Sequence, residues 1–444
     1  MFKTFINSLK IKDIRTKLLF TFVCLIIVRL GCMLPVPGIN REYYSAWVSS
    51  LEGLDFLRAL TGGSFEQMSI FALNISPYIT SSIIMQLLTV AIPKLEEMQK
   101  DGDTGRKKIA EITRYVTIGL AVFESIAMVI GFNNSNLLTS DLNFAGNLIV
   151  ITASFTAGSA FLMWLGEQIT EKGIGNGISV ILLINIVSTL PTSYSSLFNT
   201  FIMEPEKVVS KILGGVVIVV ATVGIILLIL LLEGSERRIS VQYAKKVQGR
   251  KTVGGQATYI PLKVNTAGVI PVIFSSSLMQ TPVIISSLLG VSASRTGSVW
   301  QKILYLLSQD KWFHFTKEEV IYTLGVLIYI ALNVFFAYFY TEITFNPMEV
   351  ANNLKKQGGF IPGIRPGRPT TDYLSKVLHN IIFIGATGLT IVALIPIILS
   401  GAFNASLGFG GTSIIIVVGV VLEMMRQVET MMRERHYKGF LSDD

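Results

Sequence analysis

The sequence is poor in charged residues and in the residues that build disulfides or metal sites. Aspartate, glutamate, lysine and arginine make up 15% of the 444 residues, against about 25% in ordinary soluble proteins. The two cysteines, Cys24 and Cys32, share one apolar segment, where a helix would hold them about 12 Å apart, too far for a disulfide. Three scattered histidines predict no metal site.

Sequence motifs for catalysis are also missing. No G-x-x-x-x-G-K-[ST] phosphate loop occurs, and the glycines of 173–177 have the wrong spacing for a dinucleotide-binding turn. No serine–histidine–aspartate or cysteine–histidine set is apparent, so we predict no catalytic residues, no cofactor and no enzyme activity. The charges within apolar segments are few (Arg29, Glu124 and Glu423). Ion-coupled transporters usually need such groups, so we expect any driving energy to come from a partner.

Apolar residues are abundant instead and occur in long runs. They make up 51% of the chain, and the mean hydropathy is +0.58, which is typical of a polytopic membrane protein. We predict an all-α membrane protein with ten transmembrane helices. The predicted spans are roughly 18–35, 75–91, 115–132, 148–165, 174–190, 212–232, 267–289, 321–340, 377–399 and 412–432.

The basic residues predict the orientation of these spans. Roughly three-quarters of the 37 lysines and arginines lie in the two tails and the even-numbered loops, which places both termini in the cytoplasm by the positive-inside rule. Ten spans divide into two halves, residues 1–195 and 196–444. With five spans each, the halves enter the membrane from opposite sides, as inverted repeats do. No similarity between the halves is apparent by eye.

The segment after the first span is too short to cross the bilayer. Ser64-Phe65-Glu66-Gln67 matches a capping box and predicts a helix through Leu73, about 13 Å long. It carries the apolar residues Phe65, Met68, Ile70, Phe71 and Leu73. Two interpretations remain open: an amphipathic helix on the membrane surface, or a re-entrant plug, about 64–73, inside a pore.

The next span carries polar residues along part of its length. Ile75 and Ile79 are four residues apart and share a helix face. Thr80, Ser81, Ser82 and Gln86 follow, which indicates a helix that does not face lipid on all sides. These side chains could line a cavity or form hydrogen bonds between helices.

Two even-numbered loops, 233–264 and 342–376, are too long to be simple connectors. Both are basic and contain alternating or glycine- and proline-marked stretches, which predict hairpin-like protrusions. Their charges could serve orientation alone, or could dock a large acidic or nucleic-acid-containing partner. Their basic residues include Arg238, Lys246, Lys355, Lys356 and Arg365.

Several distinctive motifs are spread from the first span to the last. They are 34–39 (LPVPGI), 166–179 (GEQITEKGIGNGIS), 261–265 (PLKVN) with 267–271 (AGVIP), 345–347 (FNP), 363–367 (GIRPG) and 410–413 (GGTS). Each motif alone is weak, but together they cover essentially the whole chain and resemble the SecY/Sec61 alpha family of protein-conducting channels.

The resemblance implies an hourglass pore between two five-helix halves, closed at its waist by a ring of apolar side chains. The matching positions are Ile75, Ile79, Ile178, Leu182, Ile273 and Ile416. Such a constriction blocks ions by dewetting. Leu182 departs from an all-isoleucine ring but keeps volume and polarity. The short helix corresponds to the family's plug, and a lateral gate would lie between the spans beginning at Ile75 and Ala267, where Gln86 and Asn265 offer polar contacts.

The function implied by the resemblance is translocation of unfolded polypeptides across the bacterial cytoplasmic membrane, with lateral release of transmembrane segments into lipid. The implied partners are the SecE and SecG subunits, the SecA ATPase, the ribosome, signal peptides and nascent chains, and membrane lipid. In the family the two protrusions dock SecA and the ribosome, which makes Arg238 and Lys246 of the first, and Lys355, Lys356 and Arg365 of the second, the candidate docking residues. Two other interpretations of the residues are a secondary transporter, which should carry substrate-binding charges at the midplane, and a scaffold without a pore.

Overall fold

The computed structural model describes residues 10–50, 60–139, 143–198, 208–243, 246–248, 251–253, 257–288, 291, 297–308, 312, 323–403 and 411–439. Within these residues the chain is mostly helical, with one small sheet and one separate strand pair.

Eight helices of the described residues precede the sheet. They are α1 (Lys12–Gly31), α2 (Arg41–Ser50), α3 (Ser76–Ala91), α4 (Pro93–Lys100), α5 (Asp103–Asn134), α6 (Phe144–Lys172), α7 (Gly177–Phe198) and α8 (Val208–Gly234). Six described helices follow the strands of the first basic loop: α9 (Ile270–Leu288), α10 (Val299–Leu307), α11 (Thr323–Thr344), α12 (Pro347–Lys356), α13 (Arg368–Phe403) and α14 (Gly411–Gly439).

A proline separates α3 from α4. Ile92 precedes Pro93 and has extended backbone angles, φ −110° and ψ 112°, because the proline ring disfavours helical geometry in the residue before it. Helix α3 therefore ends at Ala91, and Pro93 begins α4 at an angle of 100° to it. The predicted end of the span 75–91 thus coincides with the end of α3 at Ala91.

Every predicted span overlaps one long helix of the structure. Among the described residues, four helical segments are both long and apolar enough to cross a membrane: Asp103–Asn134, Phe144–Lys172, Leu324–Lys356 and Arg368–Ile398. A fifth is added if α3 and α4 form one bent span, and three shorter apolar helices accompany them. The count of ten spans therefore stays a prediction.

The first basic loop forms an antiparallel strand pair, as its alternating sequence predicts. Strand β1 (Glu236–Tyr243) pairs with β4 (Ala257–Lys263), with Ser240 opposite Tyr259. Strands β2 (Lys246–Gln248) and β3 (Lys251–Val253) pair with each other.

The hairpin predicted for the second loop is wrong. This loop contains helix α12, followed by the two-residue strand β5 (Gly359–Phe360), which extends the sheet along β1. Asn346 begins α12 because its side chain accepts hydrogen bonds from the amides of Met348 and Glu349, and Pro347 occupies the first helical turn.

The main contacts between the two sequence halves lie at two places. Helix α7 of the first half packs against α14 of the second, whereas α3 and α5 both contact α9. The segment 60–75 leads directly into α3. The candidate site is built from these helices and that segment.

Candidate pore ring, plug and docking surfaces

The segment 62–75, which we call the plug segment, is a series of turns rather than a helix. The helix predicted over 64–73 is therefore wrong. Met68 lies inside the predicted helix but has a φ of +46°, which an α-helix does not contain, and Gly62, Gly63 and Asn74 on either side also have positive φ values. The Ser64 hydroxyl does not cap a first turn; it donates a hydrogen bond of 2.9 Å to the carbonyl oxygen of Phe71.

Residues 34–36 supply backbone hydrogen bonds that the plug segment would have made internally as a helix. The amide of Val36 donates to the carbonyl of Met68 at 3.0 Å, and the amide of Ile70 donates to the carbonyl of Leu34 at 2.9 Å. Pro35 and Ser69 form an isolated β-bridge between these two bonds. The turns are thereby fastened to the stretch that follows α1, because buried backbone groups need partners.

Side chains fasten both ends of the plug segment. The Tyr44 hydroxyl donates to the carbonyl of Phe65 at 3.0 Å. At the other end, Asn74 Nδ2 donates to the carbonyl of Leu60 at 2.9 Å, and its Oδ1 accepts from the amide of Ile75. Asn74 therefore links the segment to the start of α3.

Protein surrounds the apolar side chains of this segment. Phe65, Met68, Phe71 and Leu73 are each at most 7% exposed, and Ile70 is half-buried. Burial of each such side chain contributes about 1.5–3 kcal/mol. This environment differs from that of a surface helix, which would contact headgroups on one side and leave apolar atoms outside the protein.

Phe71 fits against a glycine of the first helix. Its ring stacks on Phe161 of α6, with centroids 6.0 Å apart. A Cβ atom on Gly31 would lie only 1.9 Å from the Phe71 ring. The last residue of α1 therefore has to be glycine for the ring to occupy this position.

The six ring candidates come together in one hydrophobic cluster, which we call the central cluster. Ile75 precedes α3 and Ile79 lies within it, Ile178 and Leu182 lie on α7, Ile273 on α9 and Ile416 on α14. All are buried except Ile178, which is half-buried against the others. The central cluster also contains Phe71, and Ile70 packs against it. Side chains from four helices, two in each sequence half, thus meet at the plug segment.

A small cavity lies at the contact between α5 and α9. Its volume is about 50 Å³. Phe65 and Leu73 of the plug segment line one wall, with Glu124 of α5 and Thr281 of α9 among the remaining lining residues. The cavity marks an incompletely packed boundary between the two halves.

The gate candidates Gln86 and Asn265 are not hydrogen-bonded to each other. Gln86 Nε2 donates to Ser82 within α3, at 3.4 Å. Asn265 Nδ2 donates to Glu233 Oε1 at 2.6 Å and to the carbonyl of Gly268 at 3.0 Å. Helices α3 and α9 do contact each other, but Asn265 is bound to the end of α8.

The comparisons with known proteins agree on one family. The SecY family model matches residues 69–425, and the protein translocase subunit SecY of Bacillus subtilis is 40% identical over the full length of both chains. The chain belongs to the SecY family. The corresponding subunit of Streptomyces coelicolor is 42% identical over 99% of this chain and 100% of the relative, and that of Thermotoga maritima is 38% identical over 99% and 98%.

Solved structures share the fold at lower identity. A protein-conducting channel matches with a TM-score of 0.61 and 19% identity, over 95% of this chain and 93% of that one. Sec61 from the canine ribosome–channel complex of the endoplasmic reticulum matches with a TM-score of 0.57 and 18% identity, over the same shares. The helices and the plug segment described above thus belong to the channel fold of the SecY/Sec61 structures.

The docking candidates lie on and beside the sheet. Arg238 on β1 forms an ion pair of 2.6 Å with Glu236, and its guanidinium lies 4.8 Å from the centre of the Tyr259 ring. The hydrogen bond to Glu236 raises the pKa of the Arg238 guanidinium, so its charge is secure. Lys246 lies on β2, opposite Val253.

The other three docking candidates lie in the second loop. Lys355 and Lys356 are exposed in the last turn of α12, where positive charge is favoured by the helix dipole. Arg365 is exposed on the turn before α13, and its carbonyl accepts a hydrogen bond of 2.9 Å from Thr370. The backbone of this turn is thus fixed while the guanidinium stays in solvent.

Two hydrogen bonds that involve α14 were not predicted from the sequence. Arg426 donates to the carbonyl of Glu233 at the end of α8, close to Asn265. The amide of Gly175 donates to Gln427, and the amide of Ile174 donates to Thr21 of α1 at 3.1 Å. The glycine motif that resembled a dinucleotide turn therefore joins α1, α7 and α14. An acidic residue at the end of a wholly apolar run was the available signal for Glu233.

Proposed function

We propose that this chain is the channel-forming subunit of a bacterial protein translocase, which passes unfolded polypeptides across the cytoplasmic membrane and releases transmembrane segments sideways into lipid. Membership of the SecY family supports this, since its relatives are protein translocase subunits. The observation that carries the proposal is the meeting of six apolar side chains, from both sequence halves, at the buried plug segment. The role is that of a channel and not of an enzyme.

The proposed architecture is ten transmembrane helices in two inverted halves, 1–195 and 196–444, around a central pore. The overlap of every predicted span with a long helix supports it. So does the distribution of basic residues, which favours cytoplasmic positions for both termini. The two halves contact each other through α7 and α14, and through α3 and α5 with α9. The contact of α3 and α5 with α9 is the proposed lateral gate.

In this architecture Ile75, Ile79, Ile178, Leu182, Ile273 and Ile416 form the waist of the pore. An apolar ring excludes ions because a narrow apolar passage dewets. It can also fit closely around a moving polypeptide of varied sequence, since aliphatic side chains make no specific hydrogen bonds. The plug segment completes the seal by placing Phe71 against this ring.

Opening would require the plug segment to leave its position and α3 and α5 to separate from α9. The glycines Gly62 and Gly63 give the segment a flexible start. Parting of α3 and α5 from α9 would open a path into lipid, through which a signal sequence or transmembrane helix could leave. Gln86 lines this path, and Asn265 fixes the cytoplasmic end of α9 to α8.

The basic sheet and α12 are the proposed docking surface for the cytoplasmic partners. Arg238, Lys246, Lys355, Lys356 and Arg365 suit the acidic surface of the SecA motor or ribosomal RNA. Two similar solved channels, canine Sec61 and the yeast Ssh1 complex, are described in complexes with ribosomes. Apolar faces such as that of α1 would contact lipid and the small subunits SecE and SecG.

Reconstitution tests this proposal directly. The full chain, co-expressed with its small partner subunits, is placed in proteoliposomes with SecA, ATP and an unfolded precursor protein. We expect ATP-dependent protection of the precursor from external protease. A scaffold would give no protection and no conductance after deletion of residues 65–70, whereas a small-solute transporter would give no protection but would accumulate solute.

A further inference from the structure

The first turn of the plug segment, at Gly62, lies between polar side chains of two helices. Arg29 of α1 donates from Nη1 to the carbonyl of Gly62 at 3.1 Å. A Cβ on Gly62 would lie 2.8 Å from the same nitrogen and 2.9 Å from both Cα and Cβ of Asn185 on α7. Gly62 has a φ of +63°, so both its conformation and its surroundings require glycine.

The two neighbours of Gly62 differ in their hydrogen bonding. Arg29 is half-buried and satisfies the Gly62 carbonyl. Asn185 is fully buried, and neither Nδ2 nor Oδ1 has a hydrogen-bond partner among the described residues. A hydrogen bond from a charged donor stabilises the state in which it forms, whereas an amide that is buried without a partner destabilises the state that buries it. Each effect changes the ratio of the two states by about tenfold or more.

Asn185 also lies close to the proposed pore. It follows Leu182 of the ring by three residues on α7, so the two side chains share a helix face. Once the plug segment leaves, this face borders the emptied vestibule and water can hydrate the amide. The cost of the unpaired amide is therefore confined to the closed state.

We propose that Arg29 and Asn185 set the opening equilibrium of the plug in opposite directions. Arg29 holds the segment closed through the Gly62 carbonyl, and Asn185 favours its release because closure buries its amide without a partner. The inference rests on the proposed channel function. Together the two residues would keep the resting channel closed to ions while a signal sequence can still displace the plug segment.

Two variants of matched size separate these roles. Arg29→Met removes the donor and should raise the resting ion conductance of the channel in planar bilayers about tenfold. Asn185→Leu removes the unpaired amide and should lower, by about tenfold, the export of a precursor with a weakened signal sequence. The double variant should return both measurements towards those of the unmodified channel.

The control is Asn333→Leu on α11, where another asparagine is 2% exposed. It makes the same exchange away from the plug segment and should leave conductance and export unchanged. If Asn185→Leu fails to assemble, Asn185→Ala also removes the amide and should shift export in the same direction.

Three outcomes overturn the inference: Arg29→Met and Asn185 variants that shift opening in the same direction, a lack of effect from either, or an equal effect from Asn333→Leu. In each of these the unmodified channel still exports precursor, so the proposed function stands. An unmodified channel that neither exports nor conducts would refute the proposed function itself.

Discussion

Replacement of Ile416 by asparagine tests the ring most directly. Ile416 is fully buried in the central cluster, which also holds Phe71 of the plug segment. Ile416→Asn forfeits burial worth about 1.5–3 kcal/mol and leaves an amide unpaired at a further cost of about 1–3 kcal/mol. An open ring would expose this position to water, so most of the cost falls on the closed state.

We therefore expect Ile416→Asn to shift the equilibrium towards opening. A shift of 1.4 kcal/mol is tenfold, so even half of the smallest total should raise the resting leak of ions by about tenfold. The measurement is conductance of the reconstituted channel in planar bilayers, together with export of a precursor whose signal sequence is defective. Both should increase.

The neighbouring residue supplies a matched control. Ile415 is as fully buried as Ile416, but it packs in a different cluster, formed with α8, α9, α11 and α13. Ile415→Asn should lower thermal stability to a similar extent without raising conductance. Equal leak from both variants would mean that asparagine simply damages the fold. Unchanged leak and unchanged stringency in Ile416→Asn would refute the ring assignment at this position.

Three further predictions concern the plug segment and the docking surface. Arg365→Glu should leave assembly intact, since the side chain is exposed, but should abolish most SecA-dependent translocation in proteoliposomes; unchanged translocation would contradict docking at this turn. Gly31→Ala should displace the Phe71 ring, which would lie 1.9 Å from the new Cβ, and raise the resting leak; Phe71→Leu in the same chain should restore part of the seal, and a silent Gly31→Ala would contradict this packing. With Cys24 and Cys32 replaced, cysteines at Phe71 and at Ile273 or Ile416 should crosslink at rest and much less while a precursor occupies the pore; crosslinking unaffected by precursor would argue against a plug that moves.

The helices were predictable because hydropathy over about twenty residues is a strong signal. Their ends were not, because polar residues continue a helix beyond its apolar run. Helix α5 begins at Asp103, although the predicted span begins at 115, and α13 begins at Arg368 instead of 377. The reverse holds at Pro93, where a local steric rule ended α3 at the predicted residue.

The plug segment shows why local patterns failed where tertiary contacts decide. Ser64 and Gln67 have the spacing of a capping box, yet the residues that follow α1 take the backbone hydrogen bonds of Met68 and Ile70. Met68 consequently adopts a φ of +46° inside what the pattern predicts to be a helix. The residues that decide this conformation are 34–36, and a pattern search confined to the predicted helix does not include them.

Asn265 illustrates the corresponding limit for the site. Its position beside the candidate gate followed from the resemblance, but its partner is a carboxylate 32 residues earlier, at the end of α8. Glu233 is also contacted by Arg426, whose helix α14 carries Ile416 ten residues earlier. The end of α8, the stretch between β4 and α9, and helix α14 therefore meet at one polar contact at the base of the strand pair β1–β4. In the proposed channel this contact would link the proposed docking surface to the proposed pore ring, and no single stretch of sequence encodes it.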